Sequence, residues 1–505
     1  MKFIHLTKIG LGGLAGLAWS LAGTVTAENW PTWRGPAANG VAPGGNPPTE
    51  FSESKNVQWK TKVPGSGSST PVIWGDQVFI MTAEKTGKKV AAAAGGESRE
   101  RGQGAERRQR PGGERPEGRG RGEQGSRGGD RPRPDGDRGS RGGERPRPDG
   151  ERSPRSGRSS RGRGGFGGGS KPTEEYRYVL MSLDRNTGKE NWRRVAATQV
   201  PHEGHHRDHG YASGSPVTDG EHIIVSFGSR GLYCYDMKGK LQWKKDFGDM
   251  RMRNSFGEGT SPALHGDTVV LLWDHEGDSA LYALDKKTGK LKWKTDRNEA
   301  SGWCTPVVTI HDGVTQVIVN GTRAVRSYQL SDGKLLWQCS GQTSNAIPSV
   351  VVDENFAYAM SGFRGAHLAA IKLGGSGDLT DSKSVSWTAN RGTPYTPSPL
   401  LSNGRIWYLS GNNGVLSVRD TKSGKLLVEG ERLDGVSGVY ASPVSAGGRV
   451  YIAGRNGTVS VLKDSAKLEV LATNELDDKF DCSPAVVGNQ MFLRGKEHLY
   501  CIATK

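Results

Sequence analysis

Apolar and polar positions along this chain follow one short pattern that keeps returning. In residues 281–293, LYALDKKTGKLKW, an apolar-rich run gives way to a polar segment, then to Gly-Lys, then to Trp three residues after the Lys. Degraded copies stand at 182–192 (SLDRNTGKENW), 234–243 (CYDMKGKLQW), 328–337 (YQLSDGKLLW) and 418–428 (VRDTKSGKLLV). A β-rich run that ends in Asp, Ser or Thr, turns at a Gly able to take positive φ, and resumes as a second apolar run is a β-hairpin. The Trp of the outgoing strand is worth about 1.5–3 kcal/mol if buried, and a lone hairpin cannot hide it. The hairpins must therefore stack.

A second mark sets the period. Prolines at 71, 216, 262, 306, 348, 399, 443 and 484, mostly after Ser or Thr, each open a short apolar run, and from Pro216 onward they recur every 41 to 51 residues. That spacing fits four-stranded propeller blades, and the runs are too short and too rich in β-branched residues for helical repeats. Each unit reads as an inner strand at Ser/Thr-Pro-Val, a second at the next Val/Ile/Phe run, a third at Leu-Tyr-x-Leu, and an outer strand carrying the Trp. The eighth unit stops at HLYCIATK without an outer strand, whereas NVQWKTKV (56–63) is an outer-type strand without a blade. The expectation is an all-β, eight-bladed β-propeller whose ring is closed by the N-terminal strand, which removes an open sheet edge.

These repeats resemble the PQQ-repeat propellers, the superfamily of quinoprotein alcohol dehydrogenases and of the propeller in the bacterial outer-membrane protein assembly machinery. The likeness covers roughly residues 56–505 apart from one insertion; NWPTWRGPAANG (29–40) and FGEGTSPALHGDTVVLLWDHEGDS (256–279) are similar to secreted bacterial PQQ-like propellers. For a dehydrogenase the resemblance implies PQQ stacked on Trp, Ca²⁺ polarising it and an Asp base. The chain departs from that pattern: it has no Cys-Cys pair, no Cys-x-x-Cys-His haem site, and no Glu/Asn/Asp set on the matching Ca²⁺-binding positions.

The first 27 residues, with Lys2, Lys8, an apolar stretch and VTA before Glu28, read as a secretory signal, followed by an N-terminal extension (28–55) and the propeller (56–505). Export places the protein in the periplasm or outside the cell. No later run is long and apolar enough for a transmembrane segment, and no Cys near the cleavage site marks a lipid anchor. The net charge of +16 is concentrated: residues 97–170 hold 20 Arg against 12 acidic residues in a Gly/Arg/Pro-rich near-repeat. Nothing there can bury a core, so a disordered insertion is expected between the second and third strands of the first blade, with polyanion contact as its possible use. The five cysteines occupy repeat positions and read as small buried thiols.

Two stretches carry candidate chemistry. HEGHHRDHG (202–210) places four imidazoles with Glu203 and Asp208 in the connection from blade one to blade two, and His205, His206 and His209 are the candidate ligands for a borderline metal. WDHEGDS (273–279), with Glu258 entering the same blade, brings Asp274, His275, Glu276, Asp278 and Glu258 toward the axis, and Trp303 is a stacking platform; these six are the candidate cofactor- or ligand-binding residues. No catalytic residue is assigned. The function expected is an exported binding or assembly scaffold of the cell envelope, holding an envelope protein or a small ligand on its loop face. The alternative is a PQQ- or metal-dependent oxidoreductase, with PQQ and calcium implied by the resemblance alone.

Overall fold

The computed structural model describes residues 29–89 and 171–504. The leader read at 1–27 and the Arg/Gly-rich insertion read at 97–170 lie outside the described residues. Strands form eight antiparallel four-stranded blades, two of which gain a short fifth strand. The first blade runs Val72–Trp74, Gln77–Lys89, Glu174–Asp184, Glu190–Gln199, so the insertion does fall between its second and third strands. The eighth runs Ala485–Val487, Gln490–Arg494 and His498–Ile502, and its outer strand is Val57–Lys62, paired Trp59 to Cys501. The ring is closed by the N-terminal strand, as the unpaired NVQWKTKV indicates. All five cysteines are free and buried, and among the described residues no helix is long and apolar enough to cross a membrane.

The Trp of the repeat locks one blade to the next. Trp59, Trp243, Trp293 and Trp387 leave the outer strand of one blade and donate Nε1–H to a backbone carbonyl in the hairpin turn of the following blade, at Arg185 (2.9 Å), Lys286 (2.7 Å), Leu330 (2.8 Å) and Thr421 (3.0 Å). The Gly of the same turn lies flat on the ring. Gly188, Gly239, Gly289, Gly333 and Gly424 have φ between +65° and +77° and take the space beside Trp59, Trp192, Trp243, Trp293 and Trp387. One residue type thus meets two demands, the left-handed turn and the close approach of an indole. The lock is missing at three junctions. Trp337 of the fourth blade turns back to Gln316 of its own blade (3.2 Å), and the sixth and seventh blades carry Val428 and Ala472 at the Trp position.

Segment 29–55 braces two of those three. Arg34, 1 % exposed, gives its guanidinium to the carbonyls of Pro399 in the sixth blade (2.7 Å) and Pro443 in the seventh (2.8 Å). Val41–Ala42 pairs parallel with the seventh blade's inner strand, Val444–Ala446. Between the seventh and eighth blades, Asn46 N–H donates to Gly488 O (2.7 Å), Phe51 N–H to Asn474 Oδ1 (2.8 Å), and Glu53 accepts from Asp477 N–H (2.9 Å) and Tyr500 Oη–H (3.1 Å). Trp30 also pairs with Ile73 of the first blade, and Pro31 O accepts from Thr218 N–H of the second. The segment therefore passes beneath the axis at the hairpin-turn end.

Around the axis the Ser/Thr of the Ser/Thr-Pro units link to the next blade at seven of the eight junctions, the third to fourth excepted. Thr70 N–H donates to Ser215 Oγ (3.0 Å), Ser215 to Ser261 (2.9 Å), Thr305 to Ser349 (2.8 Å), Ser349 to Ser398 (2.9 Å), Ser398 to Ser442 (2.9 Å), Ser442 to Ser483 (3.0 Å) and Ser483 to Thr70 (3.2 Å). These hydroxyls satisfy buried backbone donors at the start of each inner strand. In the fifth blade the hydroxyl is Ser349, which follows Pro348 instead of preceding a proline, so the hydroxyl and not the proline is the constant part of this mark.

A matched pair of substitutions tests the lock. Gly333 and Gly313 both have positive φ (+73° and +76°), but a Cβ at 333 would lie 2.5 Å from the Trp293 ring while one at 313 meets nothing within 4 Å. Gly313→Ala is expected to cost about 1–2 kcal/mol for the left-handed backbone alone, and Gly333→Ala about 2–4 kcal/mol because overpacking adds to it. Chemical denaturation of the two variants measures this; equal losses contradict the lock.

Candidate functional site

Second-to-third-strand loops and blade-to-blade connections share one face, opposite the hairpin turns. His202 and Glu203 sit on the connection between Gln199 and Val217, and Glu258 on the one between Lys245 and Ala263. The two connections meet across the second blade. His202 Nε2 lies 3.6 Å from Glu258 Oε1 and 4.0 Å from Glu203 Oε1, with side chains 22 %, 16 % and 14 % exposed. A cavity of about 40 Å³ opens against them, walled by Tyr178, Tyr211, Phe227 and Trp273.

Each member is held from outside the group. Glu258 Oε2 accepts from Ser229 N–H (2.7 Å) and Oε1 from Ser229 Oγ–H, and the same Oγ accepts from Met250 N–H (2.7 Å). Gly228 makes that approach possible, because a Cβ there would coincide with the Glu258 carboxylate. Glu203 Oε1 accepts from Met252 N–H (3.1 Å). His202 Nε2 lies 2.6 Å from Met250 O, while its Nδ1 faces Arg230 Nη2 (3.4 Å) and Asp249 Oδ1 (3.7 Å). Burial pushes the Glu258 carboxyl up to about 7, raises Glu203, and lowers His202, in each case by stripping water from the charged form.

The structure divides the residues singled out by the sequence. His205, His206 and His209 are not gathered. His205 Nδ1 lies on His206 O (2.7 Å) with its ring against Tyr211, His206 packs on Phe256, and His209 Nδ1 is taken by Gly210 and Ser213 (2.9 Å), with burial lowering its pKa to about 4. Of the WDHEGDS stretch, Asp274 is fully buried in a two-bond pair with Arg297 (2.8 and 2.9 Å), whose Nη1 also reaches Tyr328 Oη (2.6 Å). His275 accepts from Arg251 N–H, Glu276 from Ser301, and Asp278 stays exposed. These four do not meet Glu258. Trp303 does stand beside it, donating to Gly257 O (2.7 Å) and walling the axial cavity. Asp208, grouped with the histidines in the sequence, ties the face to the seventh blade through Arg455 (3.0 Å) and Tyr440 (3.2 Å).

The axial cavity measures about 120 Å³ and is walled by the inner-strand hydroxyls, with Trp33, Trp303, Tyr440 and Asp481. Pockets for cofactor-sized ligands run from roughly 300 to 1,000 Å³. PQQ is a flat tricarboxylate, and the wall offers it no Lys or Arg and one opposing charge, Asp481. The cavity does not fit the quinone.

A family profile described as outer membrane protein assembly factor BamB matches residues 177–427. No curated protein matches the chain. Solved structures similar to it include the computationally designed Ika8 protein (13% identity, TM-score 0.47, covering 66% of this chain and 94% of that one). BamB from Moraxella catarrhalis (14%, 0.36, 57% and 95%) and the C-terminal WD40 domain of Sif2 (12%, 0.42, 66% and 90%) are similar too.

Glu258 supports a pH test. Its folded pKa stands above the ordinary carboxyl value, so its contribution to stability is full below about pH 4.5, falls as pH rises toward 7, and is flat above. Glu258→Gln removes that loss. In chelator-treated protein the stability of the variant relative to wild type is expected to rise by on the order of 2–3 kcal/mol between pH 4.5 and 7.5, measured by urea denaturation. A difference independent of pH contradicts the assignment.

Proposed function

The chain is a PQQ-repeat β-propeller, and from that premise we propose that it serves as an exported binding or assembly scaffold of the cell envelope, engaging a protein partner through its loop face. One observation carries the reading: exposed arginines stand on five separate connections of that face, Arg207, Arg251, Arg323, Arg364 and Arg391. Asp246, Asp249, Asp278, Asp434, Asp477 and Glu497 are exposed acids on loops and connections of the same face. Among the described residues no carboxylate lies within 4 Å of Arg251, Arg323, Arg364 or Arg391, and Arg207 keeps only a 3.9 Å approach to Asp208. Unpaired exposed guanidinium groups spread over one rigid face suit an acidic protein surface.

Two further observations support the choice over a quinone-dependent oxidoreductase. The axial cavity is too small and of the wrong charge for PQQ, and the family profile that matches the central blades bears an assembly factor's name. Export is supported by the leader read at residues 1–27. The Arg-rich insertion, rooted in the long strands Gln77–Lys89 and Glu174–Asp184, adds positive charge on the same chain.

Capture from envelope extracts tests the proposal. Immobilised protein is expected to retain a defined envelope protein with roughly tenfold weaker affinity in the Arg323→Glu/Arg364→Glu/Arg391→Glu variant, and with a salt dependence that this variant flattens. Capture unaffected by the triple reversal, with melting unchanged, rules out the loop face. Dye-linked oxidation of alcohols that tracks added PQQ would favour the oxidoreductase instead.

A further inference from the structure

The loop face holds a group that scaffolding does not use. His202 Nε2, Glu203 Oε1 and Glu258 Oε1 are drawn from two connections, and their ligand atoms lie within 4.8 Å of one another. Around a tetrahedral ion with bonds of 2.0–2.2 Å, ligand atoms stand roughly 3.3–3.6 Å apart, so the 3.6 and 4.0 Å separations need only a small contraction. Two carboxylates here are largely removed from water, and among the described residues no Lys or Arg nitrogen lies within 4 Å of either one. Buried anions without a cationic partner are costly, and a metal ion removes that cost. The adjoining cavity of about 40 Å³ exceeds the roughly 10–15 Å³ that one water requires.

The second coordination layer is also in place. Nε2 faces Met250 O at 2.6 Å, so without metal the proton sits on Nε2. Metal binding therefore turns the ring off Met250 O and moves the proton to Nδ1, where Asp249 Oδ1, 3.7 Å away and already paired with Arg230, can accept it. Metal-bound imidazoles commonly donate their other N–H to a carboxylate. Ser229 N–H holds Glu258 through Oε2, and Met252 N–H holds Glu203 through Oε1, an oxygen whose second lone pair remains for an ion. The other mixed cluster, Asp219, Glu221 and His222, offers less, because Asp219 already pairs with Lys286 (2.6 Å) and Glu221 is 74 % exposed.

We propose that His202, Glu203 and Glu258 bind one divalent ion of the zinc class, tying the connection between blades one and two to the connection between blades two and three. One nitrogen and two carboxylate oxygens suit a borderline first-row ion. Water in the small cavity completes the coordination.

Titration calorimetry of chelator-stripped full-length protein with Zn²⁺ tests this. Wild type is expected to bind one Zn²⁺ per chain and to gain melting temperature with it. Glu258→Gln and, separately, Glu203→Gln, both isosteric, are expected to weaken binding more than about 100-fold while melting cooperatively. The His205→Ala/His206→Ala double variant is expected to bind like wild type. The proposal is overturned if wild type takes up no zinc, if Glu258→Gln and Glu203→Gln bind as tightly as wild type, or if only the double variant loses the ion.

Discussion

A propeller stands or falls on the contact between neighbouring blades, and in this chain that contact is an indole laid on a glycine. The blade's outer Trp reaches across to the next hairpin turn, bonds a carbonyl there, and rests where a side chain would otherwise be. Five junctions use it, all but the first to second with the carbonyl bond: eighth to first, first to second, second to third, third to fourth, and fifth to sixth. Hydrophobic burial supplies the attraction, while the hydrogen bond and the missing Cβ set register. At the sixth-to-seventh and seventh-to-eighth junctions the Trp is gone, and segment 29–55 lies across both, with Arg34 and Glu53 bonded to successive blades.

This arrangement decides where chemistry can happen. The axis is filled by a ring of hydroxyls bonded blade to blade and approached from beneath by Trp33, which leaves about 120 Å³. Chemistry other than these hydroxyls and the single carboxylate of Asp481 is displaced to the loop face. There the His202, Glu203 and Glu258 cluster straddles the second blade, whose two junctions both carry the Trp–Gly contact, through Trp192 on Gly239 and Trp243 on Gly289. The connections are therefore rooted in the best-locked part of the ring, which favours fixed distances between groups far apart in sequence.

Much of the fold was legible because each repeat mark is one physical requirement. Thr-Gly-Lys-x-x-Trp encodes the turn and the lock, and the Ser/Thr beside proline encodes the axial ring. The lone strand at 56–63 announced closure because an edge was otherwise left open. The bracing by residues 29–55 was not legible, since Arg34 and Phe51 act through backbone groups of distant blades that no local pattern marks. At the site, Glu258 and the loop of His202 were both visible, but their meeting was not: counting imidazoles favours the dense trio His205, His206 and His209, whereas ring orientation decides which nitrogens face one another. Asp274 misled for the opposite reason. An acidic residue in a loop suggests a ligand, and here it neutralises the buried Arg297.

The claim on which the rest depends is that segment 29–55 stands in for the absent Trp contacts. Hydrogen exchange on a chain lacking residues 29–51 but retaining the closing strand Val57–Lys62 tests it directly. Lost protection is predicted to concentrate in the inner strands Leu400–Ser402, Val444–Ala446 and Ala485–Val487, with local losses at Ile73 and Thr218, which bond Trp30 and Pro31, and with Ala263–His265 keeping its protection. Unchanged protection in the sixth to eighth blades, or an equal loss in all eight, would contradict it.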